Sequence, residues 1–182
     1  AKIIAKKKYP LFSADKVVAD LYKSDRFIKL LVKKFNINNK KNIKKQIKTL
    51  IKKNENKLKT LEDIIHPLVR KKMNIFLKIK NKILVLEIPL LIESKLNKCF
   101  DRIIFVDAKK KIRLKRFLTT GNNKNTFEIL NKRQISPIKK KFLCDFIIKN
   151  NYSLAILKKN VKKIVGIYEW NIFRHWDHRF IS

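Results

Sequence analysis

Asp15 follows a short apolar run, residues 9–14 (YPLFSA), and a carboxylate placed there can take a proton or hold a cation. Comparable polar groups end other apolar runs. Glu93 closes the Pro89-Leu90-Leu91-Ile92-Glu93 turn, Asp107 follows IIFV, and Asn150 closes FIIKN. Arg113, Lys115 and Arg116 add cations able to hold an anion, and His66 stands directly before Pro67. Each also has a plain structural reading: Asp15 as a helix N-cap, His66 as a packed or capping histidine, the cations as a solvated helix face. Neither Cys99 nor Cys144 has a second cysteine nearby, so no disulfide framework or zinc site is indicated and a reducing cytosol fits. His175, Asp177 and His178 lack a supporting third site and are read as chance neighbours rather than metal ligands.

The elements that must position these groups are short strands alternating with helices. Residues 83–89 (ILVLEIP), 102–108 (RIIFVDA), the weaker 146–150 (FIIKN) and 9–14 are apolar over strand-like lengths. Strands apolar on both faces and separated by helices describe a parallel sheet with covered faces, hence an α/β fold. Val17, Val18, Leu21 and Tyr22 share one helical face, and Ser24 is the expected N-cap of a helix carrying Phe27, Leu30, Leu31 and Phe35. Ile43, Ile47, Leu50 and Ile51 repeat at helical spacing, and Thr60 with Asp63 predicts a capping-box start for a helix running through His66 to Ile79. This helical stretch, about 24–80, is far longer than one crossover needs and reads as an inserted lobe. GNNKN at 121–125 is the expected mobile loop, with Thr126 capping a short helix after it, and Ser153 caps the last helix. In open parallel sheets function collects beyond the carboxyl ends of the strands, so one rim is expected to gather Asp15, residues 89–93, Asp107 and Asn150.

Charge narrows the partners less than its size suggests. The 182 residues carry 47 Lys and Arg against 14 Asp and Glu, a net +33, while 45% hydrophobic content is enough to bury a core for one domain. Such an excess raises nucleic acid or an anionic membrane as partner. Yet Lys is spread along the whole chain, and wealth in Lys, Ile, Asn and Phe with two Gly and four Pro is what an AT-rich genome imposes. A nucleic-acid footprint would cluster, so nucleic acid is not the expected partner. The apolar run 83–92 is broken by Glu87 and too short to span a bilayer, and the start AKIIAKKK has no signal-peptide core; no membrane association is expected, and a cytoplasmic location is.

Taken in order, SADKVVADLY, LEDIIHPLVRKKM, VLEIPLLIESKLNKCFDRIIFVDA, RLKR, Gln134 and CDFIIKNN resemble the dephospho-CoA kinase family over about residues 1–168. The most specific pieces are His66-Pro67, the Pro-Leu-Leu-Ile-Glu turn followed by Phe100-Asp101, and Gln134 ahead of Asp145 and Asn150. The resemblance implies a P-loop kinase-like parallel sheet flanked by helices, with a helical acceptor-binding lobe at about 24–80 and a lid at about 117–140. The core of this single domain is expected at 1–23, 81–116 and 141–168, followed by a tail at 169–182. It implies ATP as phosphate donor, Mg²⁺, and dephospho-CoA as acceptor. Asp15 matches the last residue of the family's Asp-Ala-Asp strand end, implying a general base on the ribose 3′-hydroxyl and a hold on Mg²⁺; the first Asp of that triplet is Ser13 here. His66, Pro67, Leu90, Leu91 and Glu93 fall where the family forms the acceptor pocket. Arg116 and Lys140 match cationic positions of the lid, although the second lid Arg and its neighbouring Asp are replaced by Thr120 and Gly121. Asn150 matches the adenine end of the donor site.

The front of the chain departs most from that pattern. The family opens with a strand and a GxxxxGK[ST] loop, whose backbone N–H groups and Lys hold the nucleotide phosphates. No such motif occurs in these residues, and AKIIAKKK matches the helix that follows the loop. The resemblance therefore implies a first strand and loop lying ahead of Ala1. Two other functions fit the composition or the fold: a basic nucleic-acid-binding α/β protein, and a kinase of another nucleotide.

Overall fold

A computed structural model describes residues 1–6, 8–38, 41–54 and 56–177, with side chains described outside 52, 53 and 168–177. It divides into two compact units, Ala1–Pro89 and Leu90–Ser182. The expected helical lobe lies within the first and the expected lid within the second.

In the first unit, α1 (Lys2–Ala5) is shorter than the AKIIAKKK run, because Lys6 adopts a left-handed conformation, φ 42°, and its N–H donates back to the Lys2 carbonyl. Lys7 lies outside the described residues. β1 (Leu11–Ser13) passes directly into α2 (Ala14–Leu21), and α3 (Asp25–Phe35), α4 (Ile43–Lys53) and α5 (Asn56–Phe76) follow before β2 (Val85–Glu87). β1 and β2 pair in parallel, with Leu11 opposite Val85, Phe12 opposite Leu86 and Ser13 opposite Glu87. Pro10 has no N–H to give, but its carbonyl accepts from Val85, 2.9 Å, and opens the ladder.

The helices are held by one apolar cluster of Phe27, Leu31, Phe35, Ile37, Ile43 and Ile47. Phe27, Leu31 and Phe35 recur every four residues on one face of α3, Ile43 and Ile47 do the same on α4, and Ile37 joins them from the connection between the two helices. Leu61, Ile64, Ile65 and Leu68 of α5 pack against the same cluster, as do Leu21 and Tyr22. Leu30, expected on the buried face of α3, is instead exposed; the stripe centres on Leu31, which is fully buried. The start expected at Thr60 is also corrected. Leu58 and its flanking Lys57 and Lys59 are ordinary helix formers, so α5 already begins at Asn56, whose N–H donates to the Asn54 Oδ1, 2.9 Å. Thr60 sits inside the helix and its hydroxyl donates to the Asn56 carbonyl one turn back, 3.1 Å.

The second unit carries β3 (Ile104–Asp107), α6 (Lys110–Leu118), α7 (Lys124–Lys132), α8 (Pro137–Phe142), β4 (Phe146–Lys149) and α9 (Leu154–Asp177). β3 and β4 pair in parallel from Ile104 opposite Phe146 to Asp107 opposite Lys149. The Asp145 carboxylate fixes the start of this register by accepting from the Ile103 N–H, 2.7 Å, and from Arg102, 3.3 Å. α9 packs on β4, where Ile148 and Val161 are buried, and Ser153 caps it as expected through the Ile156 N–H, 3.4 Å. Thr126 does not cap α7. Asn123 does, accepting from the Thr126 N–H at 2.9 Å, so the helix starts inside the GNNKN run and the loop is confined to Gly121, Asn122 and Asn123. Gly121, φ 75°, supplies the left-handed turn this reversal needs.

Candidate active site

Asp15 occupies the first turn of α2 and is exposed. The cap of that helix is Ser13, whose hydroxyl accepts from the Lys16 N–H at 3.5 Å. Capping is thus assigned to the residue that replaces the family's first Asp, and it leaves the Asp15 carboxylate outside that role. Strand β1 ends two residues earlier, so Asp15 lies just beyond a strand's carboxyl end, as the sequence predicts. His66 and Pro67 lie in mid-α5 and are exposed, because Ile64, Ile65 and Leu68 turn the opposite face of that helix to the core. Pro67 has no N–H for the Asp63 carbonyl, which interrupts the helix ladder beside His66.

In the second unit, Leu90 and Lys95 both take left-handed conformations, φ 56° and 57°. Between them the chain closes on itself: Ser94 donates to the Leu90 carbonyl, 2.8 Å, Lys95 to Ile92, 3.0 Å, and Leu96 to Leu91, 3.1 Å. Two non-glycine residues at positive φ store strain that surrounding contacts must offset. Glu93 supplies such contacts. Its Oε1 accepts from the Ile135 N–H, 3.0 Å, and lies 2.8 Å from the Lys140 Nζ. Burial pushes the Glu93 carboxyl up, but the Lys140 hydrogen bond, a backbone N–H of its own, the Lys140 charge and the Ile135 N–H together outweigh it and hold the group below the usual glutamate range.

Lys140 and Glu93, expected in the lid and in the acceptor pocket, are therefore brought together. Arg116 is exposed and donates to the Asn150 carbonyl, 3.0 Å, while the Asn150 N–H donates to the Asp107 carbonyl, 2.7 Å. Both backbone groups of Asn150 are engaged, which fixes it at the end of β4. Sequence reasoning missed Asn151, whose Oδ1 accepts from the Lys109 N–H at 2.8 Å and ties the turn after β4 to the start of α6. It also missed Lys141, which pairs with Asp107 at 3.1 Å. The side chains of His175 and Asp177, and all of His178, lie outside the described residues. Among the described residues no three His, Cys, Asp or Glu gather to hold a metal, and no helix is long and apolar enough to cross a membrane.

The family follows from comparison with known proteins. A sequence model of dephospho-CoA kinase matches residues 1–155. The chain belongs to the dephospho-CoA kinase family. The family's member from Bartonella henselae is 38% identical over 163 residues, covering 85% of this chain and 83% of that protein, and the Bartonella quintana member is 39% identical with the same coverage. Among solved structures, the dephospho-CoA kinase from Campylobacter jejuni superposes with a TM-score of 0.61 at 25% identity, covering 91% of this chain and 87% of that one. TT1252 from Thermus thermophilus gives 0.71 at 21% identity, over 90% and 87%, a likeness of fold. These matches bear out the P-loop kinase-like α/β fold and the family read from the sequence.

Proposed function

We infer that the protein phosphorylates the ribose 3′-hydroxyl of dephospho-CoA with ATP, giving coenzyme A. The observation that carries this reading is the match of residues 1–155 to the family; Asp15, His66-Pro67 and the turn at 89–93, on which the resemblance in sequence rests, lie within that stretch. Asp15 takes the hydroxyl proton as the oxygen attacks the γ-phosphorus and the bond to the β–γ bridging oxygen breaks. This reading assigns His66 and Pro67 of the first unit, and Leu90, Leu91 and Glu93 of the second, to recognition of the acceptor, Arg116 to the migrating phosphoryl group and Asn150 to the adenine side. Mg²⁺ neutralises phosphate charge when bound. One exposed carboxylate, Asp15, fits it, since this ion takes one or two carboxylates and completes its shell with substrate phosphates and water. The free thiols of Cys99 and Cys144 suit a reducing cytoplasm.

Calorimetry with dephospho-CoA tests the acceptor half of this reading on the chain itself. Saturable binding, competed by coenzyme A, is expected; an absence of binding would defeat it. The 182 residues hold glycine only at 121 and 166 and so contain no GxxxxGK[ST] loop. Transfer is therefore measured on the chain joined to a leading strand and loop of that form, where ATP-dependent formation of coenzyme A is expected.

A further inference from the structure

Helix α8 presents its side chains in reverse of the usual order. Ile138 and Phe142 are 67% and 84% exposed, whereas Lys140 between them is 9% exposed, and lysine is among the residues least often buried. Apolar burial therefore does not set the rotation of this helix. What does set it is a pair of ion pairs: Lys140 to Glu93 at 2.8 Å, with side chains only 11% and 13% accessible, and Lys141 to Asp107 at 3.1 Å. The Phe105 ring of β3 covers the Lys140 ammonium, 5.8 Å from its centroid, and the Ile135 N–H reaches the same Glu93 oxygen just ahead of the Ser136 cap of α8.

We propose that Glu93 and Lys140 form a buried ionic latch that holds the strained turn at 90–95 in its working shape and joins it to α8, making Lys140 a positioning residue rather than a phosphate ligand. A lysine free to meet phosphate would be exposed and without a buried counter-ion; this one is neither. The turn needs an external hold because Leu90 and Lys95 both sit at positive φ, and Glu93 is the side chain within it that reaches another element through a charged bond. The latch links the lid segment to residues that the proposed function assigns to the acceptor pocket, and in its effect on substrate it rests on that reading.

The test compares Glu93→Gln, Lys140→Met and the double variant with the unaltered chain. Amide exchange is followed without ligand at Ser94, Lys95 and Leu96, which bond within the turn, and at Ile37, whose N–H donates to the Val32 carbonyl in the other unit. Each single variant should speed exchange at the three turn amides by roughly tenfold or more and leave Ile37 unchanged, with dephospho-CoA affinity falling in parallel. The double variant, which strands no charge, should exchange more slowly than the product of the single effects predicts, as contacting residues do. Unchanged turn exchange in Lys140→Met, or equal acceleration at Ile37, would overturn the proposal. Strictly multiplicative effects in the double variant would do the same. Failure of the unaltered chain to bind dephospho-CoA would defeat the proposed function instead, while the exchange measurements still decide the latch.

Discussion

Asp15 and Glu93 are both carboxylates beside family motifs, yet their surroundings give them opposite tasks. Asp15 is exposed on the first turn of a helix capped by Ser13, so its oxygens remain available to a substrate hydroxyl. Asp15→Asn in the loop-bearing chain should lower turnover by about 10²-fold or more with little change in dephospho-CoA affinity, as loss of a general base does. Near-normal turnover would leave the base unassigned. Glu93 is instead committed, and its depressed pKa has a thermodynamic sign. A carboxyl whose folded pKa lies below its unfolded value binds fewer protons when folded, so its stabilisation is present above the ordinary glutamate range and is lost as pH falls through the folded value. The stability gap between the unaltered chain and Glu93→Gln should therefore be widest near neutral pH and close in acid, as followed by denaturant midpoints. A gap that widened on acidification would contradict the geometry at Lys140.

At the scale of elements, caps decide the outcome more often than periodicity does. Asn123→Ala should cost about 1 kcal/mol, the usual loss for an N-cap, whereas Thr126→Ala should be near neutral, since Thr126 offers only its backbone N–H to the cap. Equal costs in chemical denaturation would reopen where α7 begins. All four strands and the long helices were legible because each rests on a local signal: a short apolar run, or apolar residues three and four apart. Cap positions were less so, because Asn54, Thr60, Asn123 and Thr126 are all plausible caps by type and only the backbone path selects among them. Short α8 escaped notice although Ser136-Pro137 is a start signal; six residues give periodicity little to act on. The Glu93 latch was beyond local reading altogether. Its partner Ile135 lies 42 positions away, and no spacing rule joins a turn to a helix at that distance.

For the whole molecule the governing quantity is charge. With 47 cations against 14 anions, even complete pairing leaves a net +33, so folding brings many like charges together. Raising salt from about 0.01 M to about 0.15 M shortens the screening length from about 30 Å to about 8 Å. Two effects then compete. Screening weakens exposed attractive pairs such as Lys23 with Asp20 and Lys110 with Glu128, but pairs of this kind are worth at most about 1 kcal/mol each. It also weakens repulsion among the far more numerous unpaired lysines, and that gain should win. The thermal midpoint should accordingly rise with sodium chloride. Replacing exposed Lys33, Lys48 and Lys72 together with Gln should raise the midpoint at low salt, flatten its salt dependence and leave transfer in the loop-bearing chain nearly intact. A large loss of transfer would show that these scattered charges serve substrate binding, and a midpoint that fell with salt would mean that attractive pairs dominate the surface.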